Sequence, residues 1–268
     1  MPRFFDSHSH INDSRFDLDR DIVLLRMKEK ECWSLVVGTD RKMSEDAIAI
    51  AQVNEGIFSA VALHPADNFE EIFDEAVYKN LAKQPKVVAI GECGLDYSRI
   101  LEEKREEESK RQIALFEKQI ELAIENNLPL MIHCRDAHHD LLEILASKKK
   151  QYAEKLRGNI HFFSEGPEIA KKYFDLDFTI SFTGVLTFAR NYDETVKYAP
   201  LEKILSETDS PYVAPAPYRG KRNEPIYVEE VVKAIANIRN QDFELVREVM
   251  VKNAMRVFTI PNPRSDLG

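Results

Sequence analysis

Short apolar runs alternate with longer stretches of helical periodicity along the whole chain. Eight runs read as strands: FFDSHSH (4–10), WSLVVGT (33–39), IFSAVALH (57–64), KVVAIGE (86–92), PLMIHC (129–134), GNIHFF (158–163), DFTISF (177–182) and KILSETD (203–209). Several are near-continuous rather than alternating, as parallel strands covered on both faces require. The intervening segments read as amphipathic helices. In RQIALFEKQIELAIENN, Ile113, Phe116, Ile120, Ala123 and Ile124 recur at three- and four-residue spacing and form one apolar stripe. Asn126, Asn127 and Pro129 then supply a stop signal. Eight strands alternating with helices predict an α/β fold, a (β/α)8 TIM barrel. The competing doubly wound sheet lacks a G-x-G-x-x-G turn here.

At 268 residues the chain is expected to form one domain, 1–268, with the last ten or so residues a loose tail. No apolar run approaches the length of a membrane helix, and no leader pattern is evident. Three cysteines, an odd number, argue against a disulfide scaffold and fit a reducing cytoplasm. The net charge of −9 excludes a general attraction for polyanions, so any nucleic-acid site needs local cations.

The metal-competent side chains fall at strand ends. His8 and His10 end the first run, His64 the third, Glu92 the fourth, His133 the fifth, and Asp209 the eighth, with His161 near the end of the sixth. Barrel active sites lie at the C-terminal strand ends, so these groups are expected to converge on one mouth. Positions i and i+2 of a strand point to one face, roughly 7 Å apart, so both rings of the H-x-H pair can close on one ion. A lone H-x-H is weak, since a solvated strand end explains it equally. The set His8, His10, Glu92, His133, His161 and Asp209 is larger than one tetrahedral zinc takes. It suits two divalent ions bridged by a carboxylate.

On these residues the sequence resembles the TatD-type metal-dependent deoxyribonucleases, relatives of the amidohydrolase barrels. The matching blocks are DSHSH (6–10), LHP (63–65), IGECGLDY (90–97), FEKQIELAIENNLPLMIHCRDA (116–137), HFFS (161–164), ETDSPY (207–212), RGKRNEP (219–225) and NAMRVF (253–258). They span nearly the whole chain in the family's order. Two positions depart from the pattern: Phe162 stands where a smaller residue is expected, and Ala62 where glycine precedes the histidine-proline pair. The resemblance implies that His8 and His10 hold one metal, His133 and His161 the second, and that Glu92 bridges them. Asp209 would bind the first metal or orient the attacking water. It also implies exonucleolytic cleavage of DNA ends, with magnesium as activator. Donor softness favours zinc or manganese for four imidazoles, so Mg2+, Zn2+ and Mn2+ all stay open.

The expected chemistry is hydrolysis by a water activated between two cations, with Asp209 as general base or, alternatively, a ligand only. His64 would contact a scissile phosphate or protonate the leaving oxygen, unless it is simply satisfied at its strand end. Arg135 would fork onto a phosphate or pair with Asp136 or Glu92. Tyr97 would stack on a base or pack. In the loop after strand eight, Glu224 is expected to pin the loop, and Lys221 or Arg222 to meet substrate. Asp6 is expected to orient a histidine ring. Cys93 and Cys134 are expected to pack, and His138 and His139 to face solvent. Together with the metals, Arg135, Lys221 and Arg222 would make the mouth positive, suiting a single-stranded DNA end over a long duplex. No obligate protein partner is implied. Rival readings are amide or ester hydrolysis, including aminoacyl-tRNA deacylation, and a metal-binding barrel without activity.

Overall fold

The computed structural model describes residues 1–68 and 70–261, so the expected C-terminal tail lies largely outside the described residues. Eight parallel strands follow one another around a single sheet in chain order. They are β1 (Phe4–Ser9), β2 (Cys32–Val37), β3 (Ile57–Val61), β4 (Val87–Asp96), β5 (Leu130–Arg135), β6 (Gly158–Ile160), β7 (Thr179–Phe182) and β8 (Ile204–Ser206). Ser9 bridges Ser210 in parallel, which brings the last strand back to the first and makes the sheet a (β/α)8 barrel. The helices between and after the strands are α1 (Arg20–Glu29), α2 (Arg41–Val53), α3 (Glu75–Ala82), α4 (Arg105–Asn126), α5 (His138–Tyr152), α6 (Pro167–Asp175), α7 (Asp193–Tyr198), α8 (Val228–Arg239) and α9 (Phe243–Val257).

Two apolar layers divide the strands. Phe5, Leu35, Val37, Ala60, Ala89, Met131 and Leu205 form one cluster, in which α9 also buries Val251, Ala254, Met255 and Val257. The larger layer joins the other strand face to the helices, through residues such as Phe4, Val36, Val61, Ile90, Ile132 and Ile180. Neighbouring side chains on a strand point to opposite sides, so both faces must be apolar and the runs read as continuous.

The stripe expected on α4 is present but rotated. Its buried line includes Gln112, Phe116, Gln119, Ile120 and Ala123, while Ile113 and Ile124 are half-buried. Asn127 caps the helix in the left-handed conformation, with φ 53°. β4 is longer than expected: Glu92 lies inside it, not at its end. His64, His161 and Asp209 lie just beyond β3, β6 and β8.

Candidate metal centre

β1 carries His8 to the mouth, His10 follows just beyond its end, and both rings are buried. The His10 Nδ1–H donates to the Val37 carbonyl at 3.0 Å, so in the neutral ring the lone pair is on Nε2, which faces His8. The two Nε2 atoms stand 3.1 Å apart. Asp209 reaches them from the other side of the barrel seam, its N–H donating to the His8 carbonyl at 2.9 Å. Its φ of 54° is one that aspartate tolerates better than most residues.

Glu92 enters the centre from β4, where two glycines allow β4 to press against β5. A Cβ on Gly91 would meet Met131 Cβ at 2.4 Å. A Cβ on Gly94 would meet the His133 carbonyl oxygen at 2.1 Å, and Gly94 sits at φ +133°.

The two oxygens of Glu92 face different partners. Oε2 lies 3.4 Å from His8 Nε2 and 3.6 Å from His10 Nε2. Those same nitrogens lie 3.7 and 3.5 Å from Asp209 Oδ1. Oε1 lies 2.9 Å from His133 Nδ1, 2.8 Å from His161 Nε2 and 3.4 Å from His64 Nε2.

Burial opposes the charged form of Glu92, but the His161 and His64 rings outweigh it and hold the carboxyl well below its usual range. Burial likewise opposes the His161 cation, and Glu92 and Glu207 reverse that, holding His161 well above the usual value. His8 goes the other way: burial and the neighbouring His161 lower it to about 4, so its ring is neutral near pH 7. A neutral imidazole with a free lone pair is the form that binds metal. The donor set fits divalent cations: buried imidazole nitrogens converge within about 3 Å of each other around one carboxylate. Two groups of three metal-competent atoms include Glu92, namely His8–His10–Glu92 and His64–Glu92–His133.

Residues 5–259 match the family of TatD-related DNases. This chain belongs to that family. It is 38% identical to the "uncharacterized metal-dependent hydrolase YabD" of Bacillus subtilis, over 96% of this chain and 99% of that protein. It is 32% identical to the "3'-5' ssDNA/RNA exonuclease TatD" of Klebsiella pneumoniae, over 96% and 98% of the two chains. The crystal structure of YJJV, a TatD homologue from Escherichia coli, superposes with a TM-score of 0.86 at 25% identity, covering 97% of this chain and 99% of that one. The protein is thus a metal-dependent hydrolase of the TatD family, on a TIM barrel.

Several residues that shape this TatD-family site escaped the sequence reading. Asp96 Oδ2 lies 3.2 Å from His133 Nε2 and orients that ring so that Nδ1 faces Glu92. Glu207, fully buried, lies 3.4 Å from His161 Nδ1 and accepts the Phe162 N–H at 2.7 Å. Two glutamines on α4 each grip a strand-end backbone through both amide atoms. Gln112 binds Asp96 and Gln119 binds Leu63, next to His64. A buried glutamine on an otherwise apolar stripe was the available signal, since a buried amide needs partners.

Asp6 departs from expectation. Its carboxylate accepts the Thr208 N–H and hydroxyl and the His8 N–H, so it ties β1 to the chain after β8 and touches no imidazole ring. The Nδ1 of His8 has no hydrogen-bond partner among the described residues.

A cavity of about 620 Å³ is lined by His10, His64, Glu92, His133, His161 and Asp209. Of the expected substrate contacts, His64 and Arg135 line it, and so does Arg99, which the sequence did not single out. Tyr97, Lys221 and Arg222 do not. Tyr97 is buried and its hydroxyl donates to Asp140 at 2.8 Å. Arg222 makes two 2.7 Å bonds to Asp19 and lies over the Phe16 ring. It therefore pins the loop alongside Glu224, which takes a bidentate contact from Arg26. Lys221 is exposed away from the cavity. Cys93 is buried, and Cys134 is half-buried at the cavity wall. His139 is exposed, but His138 is half-buried and bonded to the Tyr173 hydroxyl at 2.7 Å. Among the described residues no helix is long and apolar enough to cross a membrane.

Proposed function

We propose that this TatD-family hydrolase is an exonuclease that cleaves phosphodiester bonds at single-stranded DNA ends, using two divalent cations, Mg2+, Mn2+ or Zn2+. The observation that carries this reading is the division of Glu92, whose Oε2 faces His8 and His10 and whose Oε1 faces His133 and His161. His8, His10 and Asp209 would hold one ion, His133 and His161 the other, and Glu92 would bridge them. When bound, such a pair supplies Lewis-acid polarisation of a phosphoryl group and lowers the pKa of water. The 3′ direction follows the activity named for the Klebsiella relative.

The protein's own groups have distinct tasks in this reading. Asp209 accepts the proton of the attacking water. His64 Nδ1 accepts the Ala66 N–H at 3.1 Å, so a neutral His64 carries its proton on Nε2, which faces the centre. That N–H suits donation to a phosphate or leaving oxygen more than metal ligation. Arg135 and Arg99, on the cavity wall, offer planar forks to phosphate. The net charge of −9 and the confinement of these cations to one cavity favour a short single strand over an extended duplex.

The test is release of mononucleotides from 3′- and 5′-labelled single-stranded DNA, duplex DNA and RNA by protein stripped with chelator and reloaded with each metal. Label loss from the 3′ end of single strands, abolished by chelator, is expected. Hydrolysis of amide or carboxylic ester probes with intact DNA would sink the reading.

A further inference from the structure

The cavity has two unlike walls. Arg99 follows β4 and Arg135 ends β5, while Phe162, Tyr192 and Tyr212 stand after β6, β7 and β8. Arg135 and Arg99, the latter paired with Asp67 at 3.1 Å, thus stand on one side of the ligand cluster and aromatic rings on the other.

Phe162 and Phe163 are adjacent phenylalanines with opposite fates. Phe163 is buried against Tyr173, Phe182 and His138. Phe162 is left half-buried in the cavity wall. Its backbone has φ 47°, a conformation disfavoured for a bulky side chain, and the Glu207 carboxylate holds it there by accepting its N–H. The turn keeps the ring from following Phe163 under the helices. The ring stands edge-on to His161, with centroids 6.3 Å apart and planes at 88°. Among the described residues His161 is its one aromatic neighbour. Tyr212 differs, because the Arg15 guanidinium lies over its ring at 4.1 Å. The strained ring is also the position at which this chain carries a larger residue than its family pattern suggests.

Resting on the nuclease reading above, we infer that Phe162 is the stacking platform for the terminal nucleobase and sets a preference for ends that carry a base. A nucleotide with its phosphate at the ligand cluster and its neighbouring phosphate towards Arg99 and Arg135 directs its base to the aromatic wall. A π-face there accepts any base, so the preference is for having a base rather than for its identity.

The test compares two single-stranded oligonucleotides that differ only in the terminal residue, one with its base and one abasic, cleaved by the Mn2+-loaded protein. Wild type is expected to favour the base-bearing end at least about fivefold in kcat/KM, the lower edge of base–aromatic stacking. The ratio should fall towards one in Phe162→Gly, which also suits the positive φ and so preserves the turn, and should be kept in Phe162→Tyr. A second readout precedes turnover: terminal 2-aminopurine fluorescence should be quenched on rapid mixing with Mn2+-loaded wild type and not on mixing with Mn2+-loaded Phe162→Gly. An unchanged ratio or unchanged quenching in Phe162→Gly overturns this inference alone. No release from either strand by wild type overturns the nuclease reading and this inference with it.

Discussion

The two sides of Glu92 are built from different materials. On the Oε2 side, His8 and His10 meet Asp209, and the His8 ring is held by stacking on His161, with centroids 4.0 Å apart and planes at 12°. On the Oε1 side, the Asp96 carboxylate is hydrogen-bonded to the His133 ring from behind, while Glu207 lies 3.4 Å from His161 Nδ1 without a hydrogen bond to it. A carboxylate behind an imidazole fixes its tautomer and raises its basicity as a ligand. The first side instead places its extra carboxylate within the centre itself. One residue can therefore serve two positions that differ in charge, backing and reach of solvent. They should differ in metal affinity too, and calorimetric titration of stripped protein should resolve two unequal binding steps.

The largest effect should come from removing what the two sides share. Glu92→Gln is expected to lower turnover on the order of a thousandfold or more. Plasma emission measurement of bound metal should then find less than two ions per chain. Full metal content with near-normal turnover would contradict a bridging role.

Asp209→Asn separates ligation from proton transfer on the first side. Loss of about a hundredfold or more in kcat with both ions retained supports the base, within the range such groups supply. Near wild-type rate with both ions bound rules that role out.

Asp96→Asn acts on the second side only, through His133, and should weaken one binding step about 10- to 100-fold. Equal weakening of both steps would erase the distinction between the two sides.

The smallest effect is in stability against pH without metal. Glu92, held below its ordinary 4.5, contributes stability present above that value and lost as pH falls through its lower folded pKa. His161, held above its ordinary 6.5, contributes stability present below that value and lost as pH rises through its higher folded pKa. His10 and His133 are raised in the same sense, and His8, lowered to about 4, opposes them below 6.5. Metal-free protein should therefore melt higher near pH 6 than near pH 9. The gain in Tm on adding Zn2+ should run the opposite way, growing with pH because ligands must shed protons to bind. Parallel pH profiles with and without metal would show that these rings are not the ligands.

The strand count and the mouth position of the ligand candidates were legible in the sequence. Near-continuous apolar runs mark strands covered on both faces, and the histidines that close those runs read directly from the sequence. His8, His10, Glu92, His133, His161 and Asp209 come together as a cluster in the structure. The long-range partners were not legible. A basic loop after the last strand is a common phosphate site, which suggests that Lys221 or Arg222 meets substrate. The structure brings Asp19, more than 200 residues away in sequence, against Arg222. Tyr97 was open to stacking on substrate until the fold set Asp140 beside its hydroxyl. Strand parity would put Asp6 on the face of His8, but the register shifts between Asp6 and Ser9, and Thr208 across the barrel seam takes the carboxylate.

By itself the sequence determined the elements, their order, and which side chains could ligate a metal, because these depend on local periodicity and residue chemistry. Only the tertiary structure decided how Glu92 divides its oxygens, which carboxylate backs which imidazole, and that Phe162 faces the cavity while Phe163 does not. Those outcomes depend on distances between segments far apart in the chain, which pack only once the barrel closes at Ser9 and Ser210.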